Sequence, residues 1–322
     1  MAGVQQRAAV EAAVPVTGAR ARTKRRKGTF LRDDRTGLLM IAPMVILLAI
    51  FVIWPLIYSF YLSTFELSFY KEPTFVGLQF YGYVIDSPKF WNSLSVGLRF
   101  ALMVIPIVMT LAFFIAALIR SLGKSRSSGF LKTTIYVPTV VSFVVASIVF
   151  IFMYRAQGGL VNGVLTALGQ KSLPFLSSPD LALPAIAVPA IWIAFGVATL
   201  IMLAGMLDIP ESYYEAARMD GASFLQQTRY ITLPLLRNIL LFLLVTGFVA
   251  AIQQIELPLV MTGGGPLEST TTPNLYIFNQ FKDPTPYATS FSLTAALLLF
   301  CVLGTISALV FRLVRSDKAV DG

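Results

Sequence analysis

Long apolar runs dominate the chain after residue 37. Six of them reach the ~20 residues that an α-helix needs to cross a hydrocarbon core of ~30 Å. They predict spans at 38–63, 93–119, 131–154, 181–207, 236–258 and 289–314. The runs do not alternate apolar and polar residues, as the strands of a membrane β-barrel do. The pattern therefore predicts an all-α integral membrane protein with six transmembrane helices.

Basic side chains are divided unevenly between the segments that join these spans. With the N-terminus inside, 19 of the 25 Lys and Arg residues lie on the inner side and five on the outer side. An excess of Lys and Arg marks cytoplasmic loops. We therefore expect a bacterial plasma-membrane protein with both termini in the cytoplasm. The net charge of +9 reflects this orientation and not binding to nucleic acid.

The same pattern divides the chain into three parts. Residues 1–37 are polar and basic, and we expect a disordered cytoplasmic tail there. Residues 38–316 form the six-helix domain, and residues 317–322 form a short cytoplasmic C-terminal tail.

Composition excludes several chemistries. The chain has 322 residues, of which 56% are hydrophobic and 13% charged, with no His and one Cys. The lack of His removes histidine bases, His-ligated metals and Ser-His-Asp triads. A P-loop needs the pattern GxxxxGK[ST], and the "GKS" at 123–125 lacks the first Gly. We expect no catalytic residue, no metal and no cofactor of its own, so any ATP must be bound and hydrolysed by another protein.

One polar insert interrupts the apolar pattern between the fourth and fifth spans, at 208–235. Asp208 and Pro210 are typical of a helix start. Glu211 and Glu215 lie one turn apart on one helical face, and Gly221 allows the chain to bend or another backbone to approach. Two interpretations stay open at this point: a short helix that docks on another protein, or an amphipathic helix that touches only lipid.

Several sequence pieces carry a family resemblance. They are "FVGLQFYGYV" at 75–84, "YVPTVVSFVVASIVFIFMY" at 136–154, "GGLVNGVL" at 158–165, "LAGMLDIPESYYEAARMDGAS" at 203–223, "ITLPLL" at 231–236 and "LVMTGGGPLESTTT" at 259–272. In this order they resemble the permease subunits of binding-protein-dependent ABC importers, in the sugar-transport branch with the maltose and glycerol-3-phosphate permeases. The resemblance implies a type I ABC importer permease fold, in which the EAA segment is a cytoplasmic coupling helix.

The resemblance also implies roles for residues. The signature consists of Glu215, Ala216, Ala217, Asp220 and Gly221, and it closes with Ile231, Leu233 and Pro234. We expect Ala216 and Ala217 to pack closely against the ATPase, and Glu211 and Glu215 to make polar contacts with it. The implied partners are a second homologous permease, an ATPase dimer, an extracytoplasmic substrate-binding (lipo)protein and a carbohydrate or polyol phosphate. The binding protein would dock on the outer loops 64–92, 155–180 and 259–288.

Polar residues within spans mark candidates for the substrate path. Gln253, Gln254 and Glu256 lie in the outer part of the fifth span, and Trp192 lies near the middle of the fourth. Arg99, in the second span, can extend to the membrane surface, pair with Glu256 or meet an anionic substrate. Trp192 can pack against a neighbour or stack on a sugar. The family often has Asn-Thr where this chain has Val96-Gly97. Because of this difference, a substrate contact at this site does not carry over from the family.

Two other functions fit the sequence less well. An ion-coupled secondary carrier would need acid or His relays through its spans, and Glu256 and Arg99 are the clear charges there. A membrane enzyme would need clustered carboxylates or a nucleophile with its base. The sequence therefore favours a permease that forms half of a carbohydrate pathway and is driven by ATP hydrolysis in partner subunits.

Overall fold

A computed structural model describes residues 30–68, 72–123 and 125–315. The helices in that part of the chain are α1 (Phe30–Leu48), α2 (Trp54–Leu62), α3 (Gln79–Ile85), α4 (Pro88–Ser121), α5 (Arg126–Val140), α6 (Phe143–Tyr154), α7 (Leu160–Ala167), α8 (Pro179–Leu207), α9 (Glu211–Met219), α10 (Phe224–Gln227), α11 (Leu233–Ile252), α12 (Glu256–Met261), α13 (Pro273–Phe281) and α14 (Ala288–Arg315). Two short strands, β1 (Phe65–Glu66) and β2 (Thr74–Phe75), pair antiparallel.

The chain divides into two compact units, Met1–Ile57 and Tyr58–Gly322. In the first unit, α1 begins at Phe30, so residues 30–37 are helical and do not belong to a disordered tail as predicted. Residues 1–29 and the predicted tail 317–322 lie outside the described residues. The apolar side chains between Leu38 and Ile57 are mostly exposed, as suits contact with lipid.

Two π-helical turns widen the helices, at Ala49–Ile53 and at Thr228–Thr232. Each ends two residues before a proline, Pro55 and Pro234. A proline ring clashes with the carbonyl four residues earlier and supplies no N–H to it. A local π adjustment lets the helix continue through such a position. The prolines therefore distort these helices without ending them.

Helices α4, α8 and α11 form the centre of the second unit. Their buried contacts include Phe100, Met202 and Leu236. Small residues allow close approach: a Cβ at Gly205 of α8 would collide with Ile239 of α11, and one at Gly196 would collide with the backbone carbonyl of Ile135 in α5. Small residues at helix contacts are the usual means of packing in membranes, where lipid is as apolar as Leu.

Among the described residues, five helical segments are long and apolar enough to cross a membrane: Gly37–Leu62, Pro88–Ser121, Pro179–Leu207, Arg237–Met261 and Ala288–Leu309. These correspond to the predicted first, second, fourth, fifth and sixth spans. Helix α4 begins five residues before the predicted span 93–119 and ends two residues after it. Helix α8 begins two residues before the predicted span 181–207 and ends with it. The predicted span 236–258 is interrupted after Ile252 and resumes as α12.

The predicted third span, 131–154, is not one straight helix. It consists of α5 and α6, which meet at an angle of 92°. The backbone at Val141 is extended, and the Ser142 side chain accepts a hydrogen bond from the Val145 N–H at 3.3 Å, which caps α6. The apolar run is long enough to span, but the N-cap serine starts a second helix in a new direction.

The predicted outer loops contain helices of their own. The loop 64–92 holds the β1–β2 hairpin and α3, the loop 155–180 holds α7, and the loop 259–288 holds α13. Ser290 at the start of α14 accepts the Leu67 N–H at 2.6 Å, which ties the hairpin to that helix. The described parts of these segments therefore contain regular secondary structure.

Candidate functional site

The polar insert 208–235 folds into α9, α10 and the π-helical turn that leads into α11. Helix α9 starts after Pro210, its N-cap residue, and has Glu211 in its first turn and Arg218 in its last. Both charges complement the helix dipole. The predicted start of a helix at Asp208 and Pro210 agrees with these bounds.

Gly221 ends α9 in a Schellman motif. Its φ is +75°, its N–H donates to the Arg218 carbonyl at 3.1 Å, and the Ala222 N–H donates to the Ala217 carbonyl at 2.8 Å. This left-handed conformation at the residue after the C-cap favours glycine. A Cβ at Gly221 would meet no atom of the described residues within 4 Å. The glycine therefore serves the bend and not a close approach within this chain.

A capping box starts α10 directly after this bend. The Ser223 hydroxyl accepts the Gln226 N–H at 3.4 Å, and the Gln226 side chain accepts the Ser223 N–H at 2.7 Å. The pattern Ser-x-x-Gln is a recognised sequence signature of a helix start. The residues at 223–226 match this signature, so the start of α10 is encoded locally.

An ion-pair cluster joins α9 to the end of α4. Glu211 accepts from Arg120 at 3.1 Å and from Arg218 at 2.8 Å. The Arg120 side chain is 19% exposed, whereas that of Glu211 is 60% exposed. Glu211 is thus paired with two Arg residues of its own chain but stays largely exposed, and its predicted polar contact with the ATPase remains a prediction. Arg120 lies 91 residues away in sequence, so no local pattern pointed to it.

Tyr214 forms the second attachment of α9. It is only 6% exposed, and its hydroxyl lies 2.9 Å from the Thr232 hydroxyl in the π-helical turn. The Arg120 guanidinium carbon lies 3.9 Å from the centre of the Tyr214 ring, a cation–π contact. Helix α9 is therefore held on one face by α4 and by the start of α11. Sequence reasoning missed both Tyr214 and Thr232.

The predicted signature residues lie mainly on the opposite, exposed face. Glu215, Ala216 and Asp220 are exposed, and Ala217 is half-buried. At the end of the segment, Ile231 packs partly against the core, and Leu233 and Pro234 are exposed at the start of α11. The exposed set Glu215, Ala216, Met219 and Asp220, here called the outer face of α9, leaves this surface open to a partner.

The candidate path residues gather at the break between α11 and α12. The Gln254 side chain donates to Glu256 at 3.2 Å. The Gln253 carbonyl accepts from Asn274 at 2.8 Å, and the Gln254 carbonyl accepts from Thr272 at 2.5 Å. Gln254 also lines a cavity of about 190 Å³ between α4, α8 and α11, whose walls are otherwise nearly all apolar. One side-chain hydroxyl and one side-chain amide thus satisfy the two carbonyls that the break releases.

Arg99 and Trp192 contact other residues than those of that cluster. The Arg99 guanidinium donates to the Ser95 carbonyl and hydroxyl of its own helix, both at 3.3 Å, and forms no ion pair with Glu256 in the structure. The hypothesis of an Arg99–Glu256 pair is therefore wrong for this conformation. The centre of the Trp192 ring lies 6.0 Å from the centre of the Phe150 ring. Of the two alternatives for Trp192, this contact corresponds to packing against a neighbour.

The segment "TGGGP" at 262–266 forms a tight turn. Gly263 and Gly264 have φ of +63° and +94°, and Leu267 and Glu268 also have positive φ. The Thr271 hydroxyl donates to the Gly264 carbonyl at 3.0 Å, and Lys89 pairs with Glu268 at 3.0 Å. Next to the turn, burial raises the pKa of the Tyr276 hydroxyl above its ordinary value.

Comparisons with known proteins place the chain in a family. Residues 109–317 match the family described as binding-protein-dependent transport system inner membrane component. The chain is 32% identical over 252 residues to the trehalose/maltose transport system permease protein MalF of Thermococcus litoralis, covering 78% of this chain and 85% of that one. It is 30% identical over 291 residues to the sulfoquinovosyl glycerol transport system permease protein SmoG of Agrobacterium fabrum, covering 89% and 92%.

A solved structure shows the same fold. One chain of a bacterial ABC transporter involved in the import of the acidic polysaccharide alginate superposes with a TM-score of 0.76 at 20% identity, covering 90% of this chain and 98% of that one. The fold is that of a type I importer permease. This chain belongs to the family of binding-protein-dependent transport system inner membrane components, and it is a multi-pass membrane permease. The predicted family and fold class are confirmed.

Proposed function

We propose that this chain is the permease subunit of an ABC importer for a carbohydrate, and that the segment 208–235 couples it to ATP hydrolysis in partner subunits. The carbohydrate cargo is supported by the names of the relatives, which are permeases of trehalose/maltose and sulfoquinovosyl glycerol systems. This chain would work with a second homologous permease, an ATPase dimer, an extracytoplasmic substrate-binding (lipo)protein and the membrane lipid. Both termini would lie in the cytoplasm of a bacterial cell.

One observation carries the proposal of coupling. Helix α9 is fastened to the bundle by Glu211 and Tyr214, while Glu215, Ala216 and Asp220 stay exposed. A helix attached in this way can pass a push on its outer face to α4 and α11 as a rigid unit. Closure of two ATPases would then move the permease helices and alternate access to the pathway.

The chain would need no cofactor of its own, because ATP would be bound by the ATPase dimer. Gln253, Gln254 and Glu256 would line the outer part of the pathway, where amide and carboxylate groups suit the hydroxyls of a carbohydrate. Support for this placement comes from the cluster of these residues at the break after α11 and from the position of Gln254 on a cavity wall. Arg99, which donates to Ser95, and Trp192, which packs near Phe150, would belong to the pathway without joining this cluster.

The test of coupling is a bulky substitution on the outer face of α9. Ala216→Trp adds a large ring at an exposed position, so the fold of the chain should be unaffected. Overpacking a docked surface costs about 1–3 kcal/mol, so binding of the ATPase should weaken about 5-fold to 100-fold. Ser127→Trp, at an exposed position near the start of α5, serves as the matched control.

Both variants are purified with the partner subunits, and ATPase retention and substrate-stimulated ATP hydrolysis are measured in proteoliposomes. We expect loss of both with Ala216→Trp and retention of both with Ser127→Trp. Equal retention in the two variants would contradict docking at α9. Uptake by the chain alone, driven by an ion gradient, would contradict the importer assignment.

A further inference from the structure

A cavity of about 430 Å³ lies between the ends of α4 and α8 and the polar insert. Its floor is apolar, with Phe113 and Ala117 of α4 and Met206 of α8. Phe113 lies eight residues before the end of α4 at Ser121, which corresponds to ~12 Å along a helix. Because α4 is a membrane span, the floor of the cavity lies at the depth of acyl chains and its upper part at the depth of headgroups.

The upper part of the cavity is polar and positively charged. Arg120, Arg218 and Glu211 line it together with Gln227 and Thr228, so two guanidinium groups face one carboxylate. Arg120 is occupied by Glu211 and by the Tyr214 ring. Arg218 uses one nitrogen for Glu211, and its side chain is 57% exposed. A planar guanidinium has five N–H donors, so Arg218 retains donors for an anion.

The lining of the cavity also includes apolar side chains that are exposed at the surface. Phe224 of α10 and Leu207 at the end of α8 both line the cavity, and they are 65% and 59% exposed. Leu225, beside Phe224, is also exposed. Exposed apolar side chains on a short helix next to the span ends are typical of a segment that lies at the membrane interface. A lipid can therefore reach the cavity from the bilayer.

We infer that this cavity binds an anionic phospholipid, with the phosphate on Arg218 and Thr228 and the upper acyl chain over Phe113 and Ala117. A net positive charge above an apolar floor matches such an amphiphile, and basic pockets between transmembrane helices recognise anionic headgroups. The bound lipid would lie directly beneath α9 and touch its Arg218–Glu211 pair. The inference goes beyond the proposed transport function, because lipid binding requires neither cargo nor ATPase.

The test measures lipid retention by the full chain, purified in detergent and incubated with phosphatidylglycerol or phosphatidylcholine. Native mass spectrometry gives the ratio of the two lipids bound. We expect the wild type to prefer phosphatidylglycerol, and Arg218→Gln to lower that preference about fivefold, the effect of one basic contact at a membrane surface. Arg229→Gln removes another exposed Arg of the insert that does not line the cavity, and it should change nothing.

A second variant tests the floor. Ala117→Leu fills the acyl-chain space without removing charge, and it should lower retention of both lipids. Excess inorganic phosphate should leave the bound phosphatidylglycerol in place, because the phosphate lacks the apolar part that the floor contacts. Equal ratios in wild type, Arg218→Gln and Arg229→Gln, or displacement by phosphate alone, would overturn the inference. So would unchanged lipid retention in Ala117→Leu, which would put the lipid elsewhere on the surface.

Discussion

The attachment of α9 to α4 depends on Arg120, and replacing it gives the sharpest test of how the insert is held. Arg120→Met keeps an unbranched apolar stem but removes the guanidinium. The variant loses the contact with Glu211 at 3.1 Å and the contact with the Tyr214 ring at 3.9 Å. It also leaves Glu211 with Arg218 as its remaining ion-pair partner among the described residues.

The expected size of the effect follows from the exposure of the groups. Glu211 is 60% exposed, so water screens the ion pair and its contribution is about 0.2–1 kcal/mol. The cation–π contact involves a largely buried Tyr214 and an Arg120 side chain that is 19% exposed. Such a contact contributes about 1–2 kcal/mol. Together, the loss of Arg120 should lower the free energy of unfolding by about 1–3 kcal/mol.

Reversible unfolding of the purified chain in detergent, followed by circular dichroism, measures this loss. Double-mutant cycles with Glu211→Gln and Tyr214→Leu separate the two contacts, and the cycle with Tyr214 should give the larger coupling energy. Arg126→Met, at an exposed Arg at the start of α5, is the control and should stay within about 0.5 kcal/mol of wild type. If Arg120→Met and Arg126→Met unfold alike, the attachment described here contributes nothing.

Two further substitutions test the backbone geometry. Gly196→Ala would place a Cβ against the Ile135 carbonyl, which cannot move aside as a side-chain tip can, so the free energy of unfolding should fall by about 1–3 kcal/mol. The control Gly304→Ala, at a position with open space, should be neutral or stabilising. Equal unfolding free energies for the two variants would refute the close packing of α5 and α8. Gly221 has a φ of +75°, so Gly221→Ala should lower the free energy of unfolding by about 1–2 kcal/mol. Gly221→Asn should cost clearly less, because Asn adopts the left-handed conformation more readily. The same unfolding measurement compares them, and an Ala variant as stable as the Asn variant would exclude the left-handed conformation at this residue.

Neighbouring residues of α9 have different partners. Tyr214 and Glu211 fasten the helix to the bundle, whereas Ala216 and Glu215 remain exposed. Spacing alone places Glu211 and Glu215 on a common stripe, since they are one turn apart. In the structure the pair separates in function, because Arg120 from α4 reaches only the first of them.

The apolar runs by themselves determined that the chain crosses a membrane as helices. A run of about 20 apolar residues has no other way to satisfy its backbone in lipid, so spans such as 93–119 and 181–207 follow from local composition. The motif pieces likewise identified the family, and the Asp208–Pro210 start of α9 could be read from helix-start preferences. These features depend on residues that are neighbours in sequence.

Only the tertiary structure decided the bend between α5 and α6 and the partners of the insert. The 92° angle depends on how Ser142 caps a new helix, which hydropathy does not record. The contact of Arg120 with Glu211 joins residues 91 positions apart. The Arg99 guanidinium donates hydrogen bonds to its own helix and not to Glu256. Which charges meet depends on how the helices pack, and that packing is a property of the whole bundle and not of any one segment.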